Sequence, residues 1–104
     1  MSQHVFAAED GQIVLAGYDR RCGEYYFTIF ANNNVQEPTA ESGEGLREIS
    51  QLRKELDGLV SGVPGTMYES IRQDAIDNVG NRMVRWNLDG SIEIDSAAQG
   101  RMAA

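Results

Sequence analysis

Histidine, cysteine and lysine are almost missing from this chain, which has one of each (His4, Cys22 and Lys54) among 104 residues. A lone cysteine cannot close an internal disulfide and offers no thiolate cluster for zinc. A lone histidine, in an end segment expected to be mobile, removes most histidine-based catalysis and most transition-metal sites. No apolar run approaches the roughly 18 residues of a membrane span. The opening Met1-Ser2-Gln3-His4 lacks the basic start and long apolar segment of a signal peptide, so a cytoplasmic location with no membrane partner is expected. No glycine-rich phosphate loop is present, because Gly43-Glu44-Gly45 lacks the lysine and the preceding strand. A Gly-x-Ser-x-Gly elbow is missing too, and no second histidine exists to activate a serine. These absences point away from an enzyme and from any cofactor or metal.

What is present is an ordinary globular composition, 41 % apolar and 24 % charged, in a length that suits one domain spanning residues 1–104. Sixteen acidic residues against nine basic ones leave a net charge of −7, and eight of the nine bases are arginine. Phosphate binding needs basic surface, so direct nucleic-acid binding is not expected. Acidic surface ordinarily serves solubility. It can also imitate a nucleic-acid backbone and occupy a basic groove on a protein that handles nucleic acid.

Residues 12–30, QIVLAGYDRRCGEYYFTIF, are the densest apolar stretch. Alternation predicts two strands, over 12–18 and 24–31, around the charged turn Asp19-Arg20-Arg21-Cys22-Gly23-Glu24. A short first strand over 4–8 ends at Glu9-Asp10-Gly11 and reads as an edge. Residues 32–45 read as a polar loop. A first helix is predicted from 42–45 to Leu59, with Ser42 as its N-cap and Leu46, Ile49, Leu52, Leu56, Leu59 and Val60 as its buried stripe. Thr66 and Glu69 form a capping-box pattern for a second helix, whose stripe is Met67 or Tyr68, Ile71, Ala75 and Val79, with Asp74 and Asp77 facing water. A closing hairpin pairs Val84, Trp86 and Leu88 with Ile92 and Ile94 around Asp89-Gly90, and 96–104 reads as a flexible tail. The order β-β-β-α-α-β-β predicts an α+β fold, an antiparallel sheet of about five strands with two helices on one face.

Few residues suggest chemistry. Asp74 and Asp77 share a helix face, but an acid–base pair needs burial and a cleft that spacing does not supply. Cys22 beside Arg20 and Arg21 would have its thiol pKa lowered by positive charge, yet a tight turn offers neither a base nor a pocket. Tyr18, Asp19, Arg20 and Arg21 read better as a contact patch, since tyrosine and arginine dominate interface energetics. Arg82, Arg85 and Trp86 add the same residue types. Glu37, Glu41, Glu44, Glu48, Glu55 and Asp57 are the candidates for an acidic face.

Three blocks, GYDRR (17–21), YYF (25–27) and VGNRMVRW (79–86), resemble small uncharacterised proteins encoded on bacterial plasmids and phages. The resemblance implies a mobile-element context. In kind, a compact acidic chain without a catalytic constellation is similar to phage-encoded inhibitors of host defence, including anti-CRISPR proteins. The expected function is therefore that of a binding protein that occupies a partner surface on a nucleic-acid-handling complex. The alternatives are a homodimeric accessory module and, behind it, a cysteine-dependent enzyme. Two helices can cover only one face of the central strands, so the aromatics on the other face, either the Tyr25/Phe27 or the Tyr26/Phe30 set, call for a second layer, a dimer mate or a partner.

Overall fold

The computed structural model describes residues 1–31 and 37–96. It contains strands β1 (Ser2–Ala7), β2 (Ile13–Asp19), β3 (Glu24–Phe30) and β4 (Pro38–Glu41), helices α1 (Ile49–Asp57) and α2 (Gly65–Ile76), and strands β5 (Arg82–Trp86) and β6 (Ile92–Asp95). One six-stranded sheet has the order β4-β3-β2-β1-β5-β6. The α+β class is as expected. The sheet, however, is mixed and has six strands, because β5 joins β1 in parallel while every other pairing is antiparallel.

That parallel pairing moves β1 from the expected edge to the interior of the sheet. His4 lies level with Ala16 on one side and with Val84 on the other. Strand alternation then decides which residues are covered. Phe6, Val14, Ala16, Phe27, Ile29, Val84 and Trp86 point to one face and are buried against Leu52 and Leu56 of α1 and Met67, Tyr68 and Ile71 of α2. This single core contains most of the large apolar side chains of both helices and of that sheet face.

The sixth strand lies in the stretch expected to be a loop. Pro38, Ala40 and Glu41 pair with Phe30, Ile29 and Thr28. Proline is tolerated here because β4 is an edge. Ser42 does not cap a helix: its amide donates to the Phe27 carbonyl, and its hydroxyl accepts from the Phe27 amide at 3.0 Å. The first helix accordingly starts late, at Ile49, with Glu48 as N-cap and Gln51 Oε1 accepting from the Arg47 and Glu48 amides. It ends at Asp57, which leaves Leu59 beyond the Gly58 cap and 50 % exposed.

The Thr66–Glu69 capping box is not formed either. Pro64, extended at ψ 139°, is the N-cap of α2, and Thr66 lies inside the helix with its hydroxyl donating to the Gly90 carbonyl at 2.6 Å. A tertiary acceptor has taken the group that local sequence assigned to capping. Leu88, Ile92 and Ile94 are exposed, so the closing hairpin covers the core only through Val84 and Trp86. Apart from Ser96, the tail expected at 96–104 lies outside the described residues, as do the asparagines expected to end β3.

At Gly17 the backbone of β2 has no room for a side chain beside the start of β1. A Cβ at this position would sit 2.0 Å from the Ser2 carbonyl oxygen. That oxygen also accepts from the Tyr26 hydroxyl at 2.6 Å, and the Ser2 hydroxyl accepts from the Tyr18 amide at 3.0 Å. Gly17→Ala is therefore expected to push β1 off its register and cost about 1–3 kcal/mol. Urea unfolding followed by circular dichroism checks this, and a variant as stable as the parent would refute it.

Candidate interaction surface

The buried side of the sheet holds a chain of polar groups that runs from β5 through β1 to α2. The Trp86 indole donates to His4 Nδ1 at 2.9 Å, and His4 Nε2 lies 2.6 Å from Asp74 Oδ2. An indole N–H can only donate, so Nδ1 is the acceptor and Nε2 carries the proton given to Asp74. Arg82 completes the chain, donating to Asp74 Oδ1 and, at 3.2 and 2.8 Å, to both oxygens of Asp95. His4 and Asp74 are fully buried, and the histidine is immobilised rather than mobile as expected.

Burial alone would raise the Asp74 pKa, but the hydrogen bonds from His4 and Arg82 outweigh it and hold the carboxyl below its ordinary value. For Arg82, the hydrogen bond to Asp95 leads, and with Asp74 it overcomes burial to keep the guanidinium charged. No described buried side-chain polar atom lacks a partner. With every member satisfied and His4 sealed from solvent, the chain of hydrogen bonds ties β5, β1 and α2 together.

Asp74 thus corrects the expectation of two carboxylates facing water. Asp77 is exposed, with Oδ1 accepting from Gln73, and is not part of the buried group. A signal was present in the sequence: Met67, Ile71 and Asp74 are spaced by four and three, so Asp74 occupies the buried stripe.

The opposite face of the sheet has no layer over it among the described residues. Three rows cross it. Glu41, Thr28, Leu15, Val5, Arg85 and Ile94 stand level from edge to edge, each the register partner of the next. Beside them run Pro38, Phe30, Ile13 and Ala7 on one side, and Tyr26 with Gly17, then Gln3 with Met83, on the other. Val5, Ile13, Leu15, Tyr26 and Phe30 are each half-buried, held by neighbouring strands and open above. Met83 and Ile94 extend the apolar surface and are 51 % and 42 % exposed. A hollow of about 410 Å³ opens on this face, lined by Val5, Ala7, Ile13, Arg85, Trp86 and Glu93. Burial, with Asp19 nearby, pushes the Tyr26 phenol up to about 12, so it remains a donor.

The residues singled out in the turn are spread over different neighbours. The Tyr18 ring meets the Tyr25 ring edge-on, centroids 5.2 Å apart. Asp19 caps its own turn by accepting from the Arg21 amide. Arg20 reaches across to the Asn78 carbonyl and packs beside Gly80, while Arg21 stays exposed. Arg82 and Arg85 part company, the former on the helix side of the sheet and the latter on the open side.

The acidic candidates divide as well. Asp19 and Glu44 meet at one pocket of about 310 Å³, together with Glu24, Tyr25 and Tyr26. Glu41 borders the open sheet face, Glu48 caps α1, and Glu37 is exposed just ahead of β4. Glu55 and Asp57 sit on α1, where Asp57 accepts from the Tyr68 hydroxyl at 2.7 Å and pairs with Arg53. Cys22 is exposed, and the Asp19 charge beside it raises the thiol pKa, with Arg21 making only the smallest, opposing contribution. The lowered thiol expected from the arginines is therefore reversed.

Among the described residues no three His, Cys, Asp or Glu side chains gather as a metal site, and no helix is long and apolar enough to cross a membrane. No protein-family model, curated protein or solved structure matches the chain.

Asp74→Ala leaves His4 and Arg82 without their shared acceptor and is expected to cost about 3–5 kcal/mol in a urea titration. Acid should act through the same group. Its folded pKa lies below the unfolded value of about 3.9, so its contribution is complete above that pH and is lost as pH falls through the folded pKa. Between about pH 5 and pH 3 the parent should lose more stability than Asp74→Asn does; equal losses would exclude this role.

Proposed function

We propose that this chain is a small non-catalytic binding protein whose working surface is the open face of its sheet. One observation supports the reading above all: half-buried apolar side chains stand in the middle of one face of a six-stranded sheet, with both helices packed on the other face. An extended apolar patch rimmed by charge is the ordinary mark of a protein–protein contact. Tyr26, Phe30 and Arg85 are of the types that carry interface energy. Strand alternation holds them rigidly, so little ordering entropy is lost on docking.

A second reading rests on the other end of β3. The pocket shared by Asp19, Glu24, Glu44, Tyr25 and Tyr26 offers carboxylates beside aromatic rings. Such a surface suits a basic groove on a protein that handles nucleic acid, the mode of a mobile-element inhibitor of anti-CRISPR kind. Steering by charge would then make association steeply salt-dependent.

Affinity capture from a bacterial lysate separates the two readings. Proteins retained by the parent should bind Leu15→Glu more weakly by about 2 kcal/mol or more, roughly thirtyfold. Retention by Leu15→Glu with loss in an Asp19→Lys, Glu44→Lys variant, and strong weakening by salt, would favour the acidic pocket. A set of bound proteins indifferent to both variants would overturn both readings.

A further inference from the structure

We propose that the open sheet face is closed by the same face of a second copy of this chain, about a two-fold axis that runs parallel to the strands between β1 and β2. The inference rests on the reading of that face as the working surface and names its partner.

The row that crosses the face carries the argument. Glu41 stands at its β4 end and Arg85 towards its β6 end, with Thr28, Leu15 and Val5 between them. A two-fold axis along the strands reverses left and right while keeping strand direction. It lays β2 over β1 of the partner and β3 over β5. Leu15 then meets the partner's Val5, and Val5 meets the partner's Leu15. Thr28 lies beneath the partner's Arg85, with Glu41 only one strand spacing of about 4.8 Å to the side, within reach of a guanidinium. Each copy thus supplies one acid and one base to a pair of symmetry-related contacts that flank an apolar centre. A surface complementary to itself in this way is what an isologous interface requires. The same operation sets Phe30 near the hollow that Ala7, Ile13 and Arg85 line in the partner.

Size agrees. Six strands about 4.8 Å apart and up to seven residues long make a face of roughly 500 Å². Two such faces bury on the order of 1,000 Å², the lower bound of a specific interface. Aligned sheets pack about 10 Å apart, a gap these side chains fill. Pairing through the sheet edges offers less: β4 and β6 have four residues each, and β4 begins with proline.

Sedimentation of the full chain tests the proposal. The parent should sediment at twice its 11.5 kDa mass at tens of micromolar. Leu15→Glu should be monomeric while keeping the parent's circular dichroism. Arg85→Glu and Glu41→Arg should each weaken the dimer about tenfold or more, and the double exchange should recover most of the loss. A parent that stays monomeric at about 100 µM overturns the dimer, as does a dimer indifferent to Leu15→Glu or a double exchange without recovery. The binding reading is decided separately. A monomer that takes up an apolar fluorescent dye in a Leu15-dependent way keeps an open docking face, whereas a monomer that takes up none loses both.

Discussion

The parallel contact between β1 and β5 is the constraint on which the rest of the structure depends. It joins the beginning of the chain to its end, closes the core over Phe6, Val84 and Trp86, and places His4 where no water reaches it. A parallel pair between remote strands has high loop-closure entropy against it and must be specified by more than backbone hydrogen bonds. Here a buried polar chain adds that specification. Trp86 and Arg82 come from β5, His4 from β1 and Asp74 from α2, so three elements are correct only together. One residue of slip would turn His4 to the other face and strand Asp74 in the core. Taking these groups out of water costs desolvation, which their mutual hydrogen bonds offset.

That polar chain also explains why the sheet is covered on one side. Both helices are committed to the face that bears His4, because Asp74 and the Met67–Ile71 stripe of α2 dock there and α1 follows through Leu52, Leu56 and the Tyr68–Asp57 hydrogen bond. The chain then has no further described element for the second face. That face is apolar in the middle, with Glu41 towards one side and Arg85, beside Glu93, towards the other.

Much of this was legible from residues in order. The β2–β3 hairpin follows from alternation in IVLAGYD and EYYFTIF, and α2 follows from Met67, Ile71 and the Pro64–Gly65 break. The surplus of aromatics over available helix surface was also visible, and Tyr26 and Phe30 prove to be the members left open. Other features carried no local signal. PTAE pairs as a strand because β3 presents a free edge, and Ser42 abandons its cap role because Phe27 offers it both a donor and an acceptor. Thr66 looks outward to Gly90 for the same kind of reason.

Local sequence, then, determined what local physics controls: the identity of most strands and of both helices, and the main apolar stripe of each helix. Tertiary structure alone decided the parallel docking of β5, the interior place of β1, and the meeting of His4, Asp74 and Arg82 across the core. It also decided which row of side chains spans the open face with Glu41 and Arg85 at opposite sides. Periodicity reports the environment of one element at a time, whereas these arrangements depend on which strand lies beside which, and that is settled by long-range packing and the satisfaction of buried polar groups.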